Sequence, residues 1–262
     1  MIFDRSPLKA FLRASGASSP YSRLNTSLFE AQKPYVLDPV GNRCNYSGRR
    51  FGKSRANGVI LLKPARNHPG GLSFFAAPCA KDAKRILWTT LYELDAEFNL
   101  GMKFNAGELT ATAPNGYKIW LTVVKDKHEA NKLRGSTHGF CVGIFDECAF
   151  IPDETLRYAT VDCAMPALGE NRGNVYLTGT PGPLKKGFYY DKCQEWAAYS
   201  GDARSNQKFD GQAFLEKALA DNNWTWDHPT FRREYLGEWV EDESILIYKY
   251  NPNINMIYPG SE

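Results

Sequence analysis

The sequence predicts an α/β domain with a mainly parallel central sheet flanked by helices, and a small helical subdomain towards its C-terminal end. Three observations predict this architecture. A glycine-bearing loop, 47–54, separates a short strand-like segment from an apolar, helix-like one. An almost unbroken apolar run, 140–145, stops at two carboxylates, as expected of a parallel strand covered on both faces. About one strand-helix-strand unit later, a second strand-like segment, 174–177, ends in a glycine- and threonine-rich loop.

The remaining elements follow from periodicity. Two segments of alternating polarity, 108–113 and 117–123, flank Asn115-Gly116, and this pattern predicts a β-hairpin. The other predicted elements show strand or helix spacing: a strand at 42–46, a helix ending near 62, a strand at 72–77, a helix from about 81 to 98, and strands at 140–145 and 174–177.

Composition excludes several classes of protein. The chain has 262 residues and a net charge of +3, so overall charge does not indicate a nucleic-acid-binding protein, and its local basic clusters are read first as solvated faces. Six cysteines without a C-x-x-C pair suit a reducing cytosol rather than a disulfide framework. The four histidines share no metal-ligand spacing. We find no signal peptide and no apolar segment long enough to span a bilayer, and expect no membrane partner.

The loop Ser47-Gly48-Arg49-Arg50-Phe51-Gly52-Lys53-Ser54 predicts a phosphate-binding (Walker A) site. In such loops backbone N–H groups point at the phosphates, a lysine reaches the terminal phosphates, and the next hydroxyl holds Mg²⁺. Lys53 and Ser54 would fill these two roles. Ser47 stands where the full pattern has glycine, so the loop alone is a loose match.

Asp146 and Glu147 supply the second half of the predicted site. They follow a strand, and ligands of open α/β sheets bind at the carboxyl ends of strands. Because Mg²⁺ prefers oxygen ligands and keeps several waters, Asp146 can hold it through water while Ser54 binds it directly. Glu147 can then orient and deprotonate an attacking water. The alternative is an acidic strand end facing solvent. Agreement between the loop and this Walker B pair favours a P-loop NTPase of the ASCE type that binds ATP and Mg²⁺.

Further motifs follow one another along the chain: Gln32 twenty residues before Gly52, an arginine just inside the loop, Ala76-Ala77-Pro78, Leu133-Arg134-Gly135, Ile144-Phe145-Asp146-Glu147-Cys148-Ala149-Phe150-Ile151-Pro152, Thr178-Gly179-Thr180-Pro181, and Phe231-Arg232-Arg233-Glu234-Tyr235-Leu236-Gly237-Glu238-Trp239. With this ordered set the chain resembles the ATPase domain of the large terminase subunit, the DNA-packaging motor of tailed bacteriophages. The resemblance covers about 29–239.

The resemblance implies roles for residues that composition and spacing leave unassigned. Gln32 would contact adenine, and Arg134 would act as an arginine finger on the ATP of a neighbouring subunit. Arg49 lies within the loop and could neutralise phosphate charge from its own chain, so a finger in cis and a finger in trans both stay open. Coupling of hydrolysis to movement would fall to Thr178, Gly179 and Thr180. A Gly-Pro-Leu insertion after Pro181 leaves the end of this coupling motif undefined.

The resemblance also implies partners and a division of the chain. Expected partners are double-stranded DNA, the portal protein and the small terminase subunit, with a homo-oligomeric ring assembling transiently at the procapsid portal vertex in the host cell cytoplasm. The isolated domain would be monomeric. We divide the chain into an N-terminal segment with the adenine-contacting region (1–40), a P-loop ATPase core (41–187), a lid subdomain (188–245) and a linker toward a missing nuclease domain (246–262). We expect no nuclease activity in this chain.

Three other functions remain to be separated from a packaging motor. A helicase-like translocase would separate the strands of a forked duplex. A nucleotide-dependent switch would bind ATP without steady-state hydrolysis. A kinase is disfavoured because Glu147 directly follows the metal-binding aspartate and suits water activation better than substrate capture.

Overall fold

One eight-stranded sheet organises the computed structural model, which describes residues 19–135 and 139–241. Its strands are β1 Arg43–Asn45, β2 Leu72–Ala77, β3 Lys103–Asn105, β4 Thr110–Thr112, β5 Lys118–Val123, β6 Val142–Phe145, β7 Asn174–Thr178 and β8 Ala197–Tyr199. They lie in the order β3-β4-β5-β2-β6-β7-β1-β8. From β5 to β8 every neighbouring pair is parallel, whereas β3, β4 and β5 form an antiparallel meander. The predicted mainly parallel sheet is confirmed.

Helices connect the strands. The α-helices are α1 Lys33–Leu37, α2 Lys53–Leu62, α3 Ala80–Ala83, α4 Thr89–Phe98, α5 Lys127–Ala130, α6 Asp153–Arg157, α7 Met165–Gly169, α8 Phe188–Glu195, α9 Gly211–Asn222 and α10 Pro229–Phe231. The π-helical turns Lys84–Trp88 and Tyr158–Ala164 join α3 to α4 and α6 to α7, and a third, Arg232–Leu236, follows α10. Short 3₁₀ turns are Pro20–Ser22, Leu24–Ser27, Glu30–Gln32, Lys63–Arg66, Asn131–Gly135, Cys148–Phe150 and Ala203–Ser205. No helix in the described ranges combines the length and apolarity that crossing a bilayer requires.

Two apolar layers cover the two faces of the sheet. Because side chains alternate along a strand, Phe74 of β2 packs into one layer and Phe75 into the other. The Phe75 layer contains α2 and α4, through residues such as Leu61 and Leu91. The Phe74 layer contains α6 and α8, through residues such as Leu156 and Phe188. Burial on both faces explains why the 140–145 segment is apolar without alternation.

Most predicted elements are confirmed with small shifts at their ends. The hairpin pairs Thr112 with Lys118 across the Asn115-Gly116 turn, and β2 has the predicted bounds. The helix predicted from 81 to 98 contains the π-helical turn Lys84–Trp88. Two strands of three residues each, β3 and β8, were not predicted.

The C-terminal region contributes one strand to the sheet and also forms a separate apolar cluster. Strand β8, which lies in the interval 188–245 assigned to the lid, pairs in parallel with β1. Beyond it, a small separate apolar cluster is formed by Ala203, Leu215, Ala218 and Phe231. The division into core and lid stays a prediction. Residues 1–18 of the N-terminal segment and all of the predicted linker 246–262 lie outside the described residues, as does His138.

Candidate functional site

A cleft of about 950 Å³ lies beyond the carboxyl ends of β1, β6 and β7. Its walls bring together three segments that are far apart in the sequence: the loop after β1, the two carboxylates after β6 and the segment after β7. Predicted site residues that line the cleft are Arg49, Arg50, Gly52, Lys53, Ser54, Asp146, Glu147 and Thr180. The sheet topology therefore places the two halves of the predicted site together.

The cleft contains the N-terminus of α2. Gly52 precedes the helix with φ 99°, and a Cβ at this position would lie 2.5 Å from the Gln32 Nε2 atom, so only glycine is free of strain here. No side chain caps the helix, and the first N–H groups of a helix have no intrahelical acceptor. A ten-residue helix with an uncapped N-terminus in a cleft is suited to binding phosphate.

Lys53 lies against the loop and close to both carboxylates. Its Nζ donates to the Ser47 carbonyl at 2.6 Å and to the Gly48 carbonyl at 3.1 Å. Burial lowers the pKa of this ammonium group, and the charges of Glu147 and Asp146 oppose that shift. The two hydrogen bonds hold the lysine at the base of the cleft, beside both carboxylates.

Glu147 adopts an unusual backbone conformation. Its φ of 53° and ψ of 42° are left-handed, which is uncommon for a glutamate and is often found at functional sites. Burial, followed by the negative charge of Asp146, raises the pKa of Glu147 to about 7. A carboxylate with a pKa near neutrality is well suited to accept a proton from water.

Asp146 is 3% exposed and accepts a hydrogen bond from the Thr178 hydroxyl. Burial raises the pKa of this carboxyl, while the Thr178 hydrogen bond and Lys53 oppose the rise. A cation next to this buried carboxylate would stabilise its ionised form. Ser54 and Asp146 offer the oxygen donors that Mg²⁺ prefers. Within the described ranges, no cluster of three or more His, Cys, Asp or Glu side chains could hold a metal ion, so a metal here would also need water or phosphate oxygens.

Glu234 closes the cleft from the C-terminal side. Its Oε2 atom accepts from Arg49 Nε at 3.2 Å and from the Thr180 hydroxyl at 3.5 Å, and its carbonyl accepts from the Arg49 backbone N–H at 2.8 Å. One carboxylate therefore contacts both the loop after β1 and the segment that follows β7. The sequence analysis placed Glu234 in one of the motifs of the family resemblance, 231–239, but gave it no role.

A family model decides the relationship of the chain to known proteins. The model describes the N-terminal part of the large terminase subunit of T4likevirus type, and it matches residues 44–251. The chain belongs to this terminase family. A search of curated protein sequences returned no significant match.

Solved terminase structures show the same fold. The ATPase domain of the Thermus phage P74-26 large terminase is 17% identical, with a TM-score of 0.59 over 84% of this chain and 97% of that one. The HK97 bacteriophage large terminase is 13% identical, with a TM-score of 0.60 over 80% of this chain and 50% of that one. A large terminase from a thermophilic bacteriophage, solved in complex with ADP, is 17% identical, with a TM-score of 0.65 over 81% of this chain and 54% of that one. This chain therefore spans about half the length of the last two proteins.

Four residues of the predicted nucleotide site, Gln32 and three residues of the loop 47–54, pack into the protein and do not line the cleft. Gln32 has no exposed surface; its Oε1 accepts from Phe29 N at 2.9 Å and its Nε2 donates to the Gly52 carbonyl at 2.8 Å. Adenine contact by Gln32 stays a prediction. The other three residues, which contact neighbouring protein groups and do not line the cleft, are Ser47, Gly48 and Phe51.

These three residues fix the shape of the loop. The buried Ser47 bonds the Asn45 carboxamide through both its N–H and its hydroxyl, which explains how serine replaces the usual glycine. Gly48 donates to the Gly201 carbonyl at 2.8 Å, and a Cβ on it would collide with the Tyr235 carbonyl. Phe51 is 1% exposed. The loop is therefore built against the residues that follow β8.

Arg134 lies elsewhere. It belongs to the 3₁₀ turn Asn131–Gly135, its guanidinium lies 5.2 Å from the centre of the Tyr158 ring, and its Nε donates to Cys163 Sγ at 3.4 Å. It does not line the cleft of its own chain, whereas Arg85, which sequence reasoning missed, does. The π-helical turn that carries Arg85 gave no recognisable sequence signal.

Proposed function

We propose that this chain is the ATP-hydrolysing motor domain of a viral large terminase and that it drives double-stranded DNA into the procapsid. The observation that carries the proposal is the convergence of Lys53 and Ser54 with Asp146 and Glu147 on one cleft. Membership in the terminase family supports the motor. The ADP complex of a structurally similar terminase supports nucleotide as the ligand.

Binding in this proposal uses charge and backbone geometry. The phosphates of ATP lie at the N-terminus of α2, where free N–H groups and the helix dipole favour negative charge. Lys53 contributes a positive charge from the base of the cleft, and Gln32, whose amide bonds the Gly52 carbonyl, is the proposed adenine contact. Ser54 and Asp146 would hold Mg²⁺, which would neutralise part of the phosphate charge.

Hydrolysis then needs a positioned base. Glu147 orients a water molecule and accepts its proton as the water oxygen forms a bond to the γ-phosphorus and the bond to the bridging oxygen of ADP breaks. The raised pKa of Glu147 supports this role. Direct attack by water requires no covalent intermediate on the protein.

Two arginines are proposed to stabilise the transferring phosphoryl group. Arg49 lines the cleft of its own chain. Membership in the terminase family makes the exposed Arg134 the candidate to act on ATP of the next subunit in a homo-oligomeric ring, and its position outside the cleft of its own chain supports a role in trans. An isolated, monomeric chain would then lack one of the two charges.

Coupling to movement is proposed to run through Thr178, Gly179 and Thr180. Thr178 bonds the metal-side carboxylate Asp146, and Thr180 bonds Glu234 on the C-terminal segment. A change of charge at the metal site is therefore transmitted over three consecutive residues to the proposed lid. The proposed partners of the assembled motor are the portal protein and the small terminase subunit, at the portal vertex in the host cytoplasm.

A triplex-displacement assay tests the proposed function. A double-stranded DNA translocase should strip a third strand from an intact duplex in the presence of ATP, and Glu147→Gln should abolish this. ATP hydrolysis without displacement by assembled motor would contradict DNA translocation. Unwinding of a forked duplex would favour a helicase, and nucleotide binding without hydrolysis would favour a switch.

A further inference from the structure

A chain of buried hydrogen bonds leaves the cleft at Asp146 and crosses the core to α1. The Thr178 hydroxyl donates to Asp146 Oδ1. Asn57 Nδ2 donates to Thr178 Oγ1 at 3.2 Å, and the Tyr35 hydroxyl donates to Asn57 Oδ1 at 3.1 Å. Tyr35, Asn57 and Thr178 have no exposed surface. This relay of Tyr35, Asn57, Thr178 and Asp146 links α1, α2 and the end of β7 to the cleft.

The relay has a single polarity when Asp146 is ionised. An ionised carboxylate only accepts hydrogen bonds, so the Thr178 proton points at Asp146 and its oxygen is left to accept from Asn57. A carboxamide that donates to Thr178 presents its oxygen on the other side, where the Tyr35 hydroxyl donates. Because Tyr35, Asn57 and Thr178 have no exposed surface, water cannot replace a reversed bond between them, and a reversal would leave two donors or two acceptors facing each other.

Asn57 occupies a costly position for a polar residue. It lies inside α2 with no exposed surface, and asparagine is a poor former of helix interiors. It is one turn beyond Ser54, so the same helix carries the hydroxyl proposed to bind Mg²⁺ and the amide that begins the path to Asp146. Helix α2 can therefore fix the positions of both proposed metal ligands relative to each other: Ser54 directly, and Asp146 through Asn57 and Thr178.

We propose that Asn57 is a positioning residue for Asp146: through Thr178 it holds one carboxylate oxygen, so that the other is presented to the cation, and Tyr35 fixes the orientation of the Asn57 amide. This inference rests on the proposed function, in which Asp146 contributes to the Mg²⁺ site. Residues that orient metal ligands typically change metal affinity about 10- to 100-fold when removed.

The test measures binding rather than turnover. A fluorescent ATP analogue is titrated into each variant at a series of Mg²⁺ concentrations and again in EDTA. Asn57→Leu replaces the amide with an apolar side chain of similar size. It should raise the Mg²⁺ concentration at the midpoint about tenfold. The nucleotide affinity measured in EDTA should stay within about twofold of that of the starting protein. Tyr35→Phe should raise the midpoint less, because the amide still donates to Thr178.

Two controls separate positioning from a general loss of core structure. Tyr117→Phe is matched to Tyr35→Phe, since Tyr117 is equally buried and its hydroxyl bonds two core groups away from Asp146, Ser73 and the Leu61 carbonyl. It should leave the Mg²⁺ midpoint unchanged. In a Thr178→Val background, Asn57→Leu should add no further shift, since the relay is already cut. If Asn57→Leu does not fold, Tyr35→Phe, which keeps the ring volume, still decides the question.

The outcomes are distinguishable. A Mg²⁺-dependent starting protein whose midpoint is unmoved by Asn57→Leu and Tyr35→Phe would overturn this inference alone. Equal losses with and without Mg²⁺, or a full additional shift in the Thr178→Val background, would assign Asn57 a structural role and also overturn it. A starting protein that binds nucleotide equally well with and without Mg²⁺ would overturn the proposed metal role of Asp146, and this inference with it.

Discussion

Arg49 and Arg134 lie in opposite environments. Arg49 lies in the cleft and is paired with Glu234, with 3.1 Å between Arg49 Nη2 and Glu234 Oε2. Arg134 is exposed, lies over the Tyr158 ring and does not line that cleft. The sequence left both open as the charge that stabilises the transition state. The difference teaches that Arg49 is placed for a role within its own chain, whereas a role for Arg134 in the proposed hydrolysis would require a neighbouring molecule.

The largest expected effect belongs to Arg134. Arginine fingers contribute roughly 10³ to 10⁵ in rate, so Arg134→Ala should lower kcat in the assembled state by a factor in that range. Specific activity of the unmodified chain should rise with protein concentration, because each site is completed by a neighbour. Steady-state ATP hydrolysis across a concentration series measures both.

A mixing experiment sharpens the result. Arg134→Ala and Glu147→Gln should each be inactive alone, whereas their mixture should regain part of the activity at interfaces that pair an intact arginine with an intact glutamate. Arg157 is a matched control, since it also lies over an aromatic ring, 5.4 Å from the centre of Phe188; Arg157→Ala should retain activity. Activity independent of concentration, together with no rescue, would assign the finger to Arg49.

The next effect, on the cleft side of the comparison, is that of Glu147→Gln. The amide keeps the side-chain shape and leaves Asp146 for the metal, but it cannot accept a proton from water, so kcat should fall by about 10²- to 10⁴-fold. Nucleotide affinity should change little. Single-turnover hydrolysis and nucleotide titration measure the two quantities, with the exposed Glu154→Gln as control. A kcat comparable to that of the starting protein would show that another group activates the water.

Lys53→Ala should weaken the binding of ATP itself. A hydrogen bond to a charged group contributes about 1.5–3 kcal/mol, which corresponds to roughly a 10- to 150-fold loss of affinity for ATP. Lys217, an exposed lysine on α9 that pairs with Asp221, provides the matched control. Fluorescent-nucleotide titration of folded protein checks the prediction, and unchanged affinity in Lys53→Ala would remove the phosphate-loop assignment.

The same comparison shows what sequence reasoning could reach. The loop, the β2 strand and the hairpin were predictable because each depends on local periodicity or turn chemistry. Strands β3 and β8 have three residues each, too short for periodicity alone to reveal them, whereas the equally short β1 and β4 were predicted through the phosphate-binding loop and the Asn115-Gly116 turn next to them. The Glu234 contact joins residues 185 positions apart, and the left-handed backbone of Glu147 falls on a residue type that does not signal it. The adenine contact of Gln32 stays a prediction that rests on the family resemblance, and the complete burial of Gln32 is a property of tertiary packing that spacing does not reveal.

The smallest expected effect is a shift in pH dependence caused by Glu234. The pKa of Glu147 is about 7, raised by burial first and by the charges of Asp146 and Glu234 as well. Because kcat/KM reports ionisation of the free enzyme, and because the base must be ionised to act, kcat/KM should fall about tenfold per pH unit below pH ~7.

Glu234→Gln removes one of the negative charges that raise the pKa of Glu147. The pKa should therefore fall, and the acid limb of the kcat/KM profile should move to lower pH by a fraction of a unit, while the limb keeps its slope. The exposed Glu216→Gln on α9, which exchanges a carboxylate for an amide away from the cleft, should leave the midpoint in place. The amide of Glu234→Gln also leaves Arg49 without its ionic partner, and Arg49 itself lowers the pKa of Glu147, so both consequences act in the same direction. A midpoint that stays fixed or moves to higher pH would show that Glu234 does not act on the base through its charge, and its contacts to Arg49 and Thr180 would then account for any change in rate.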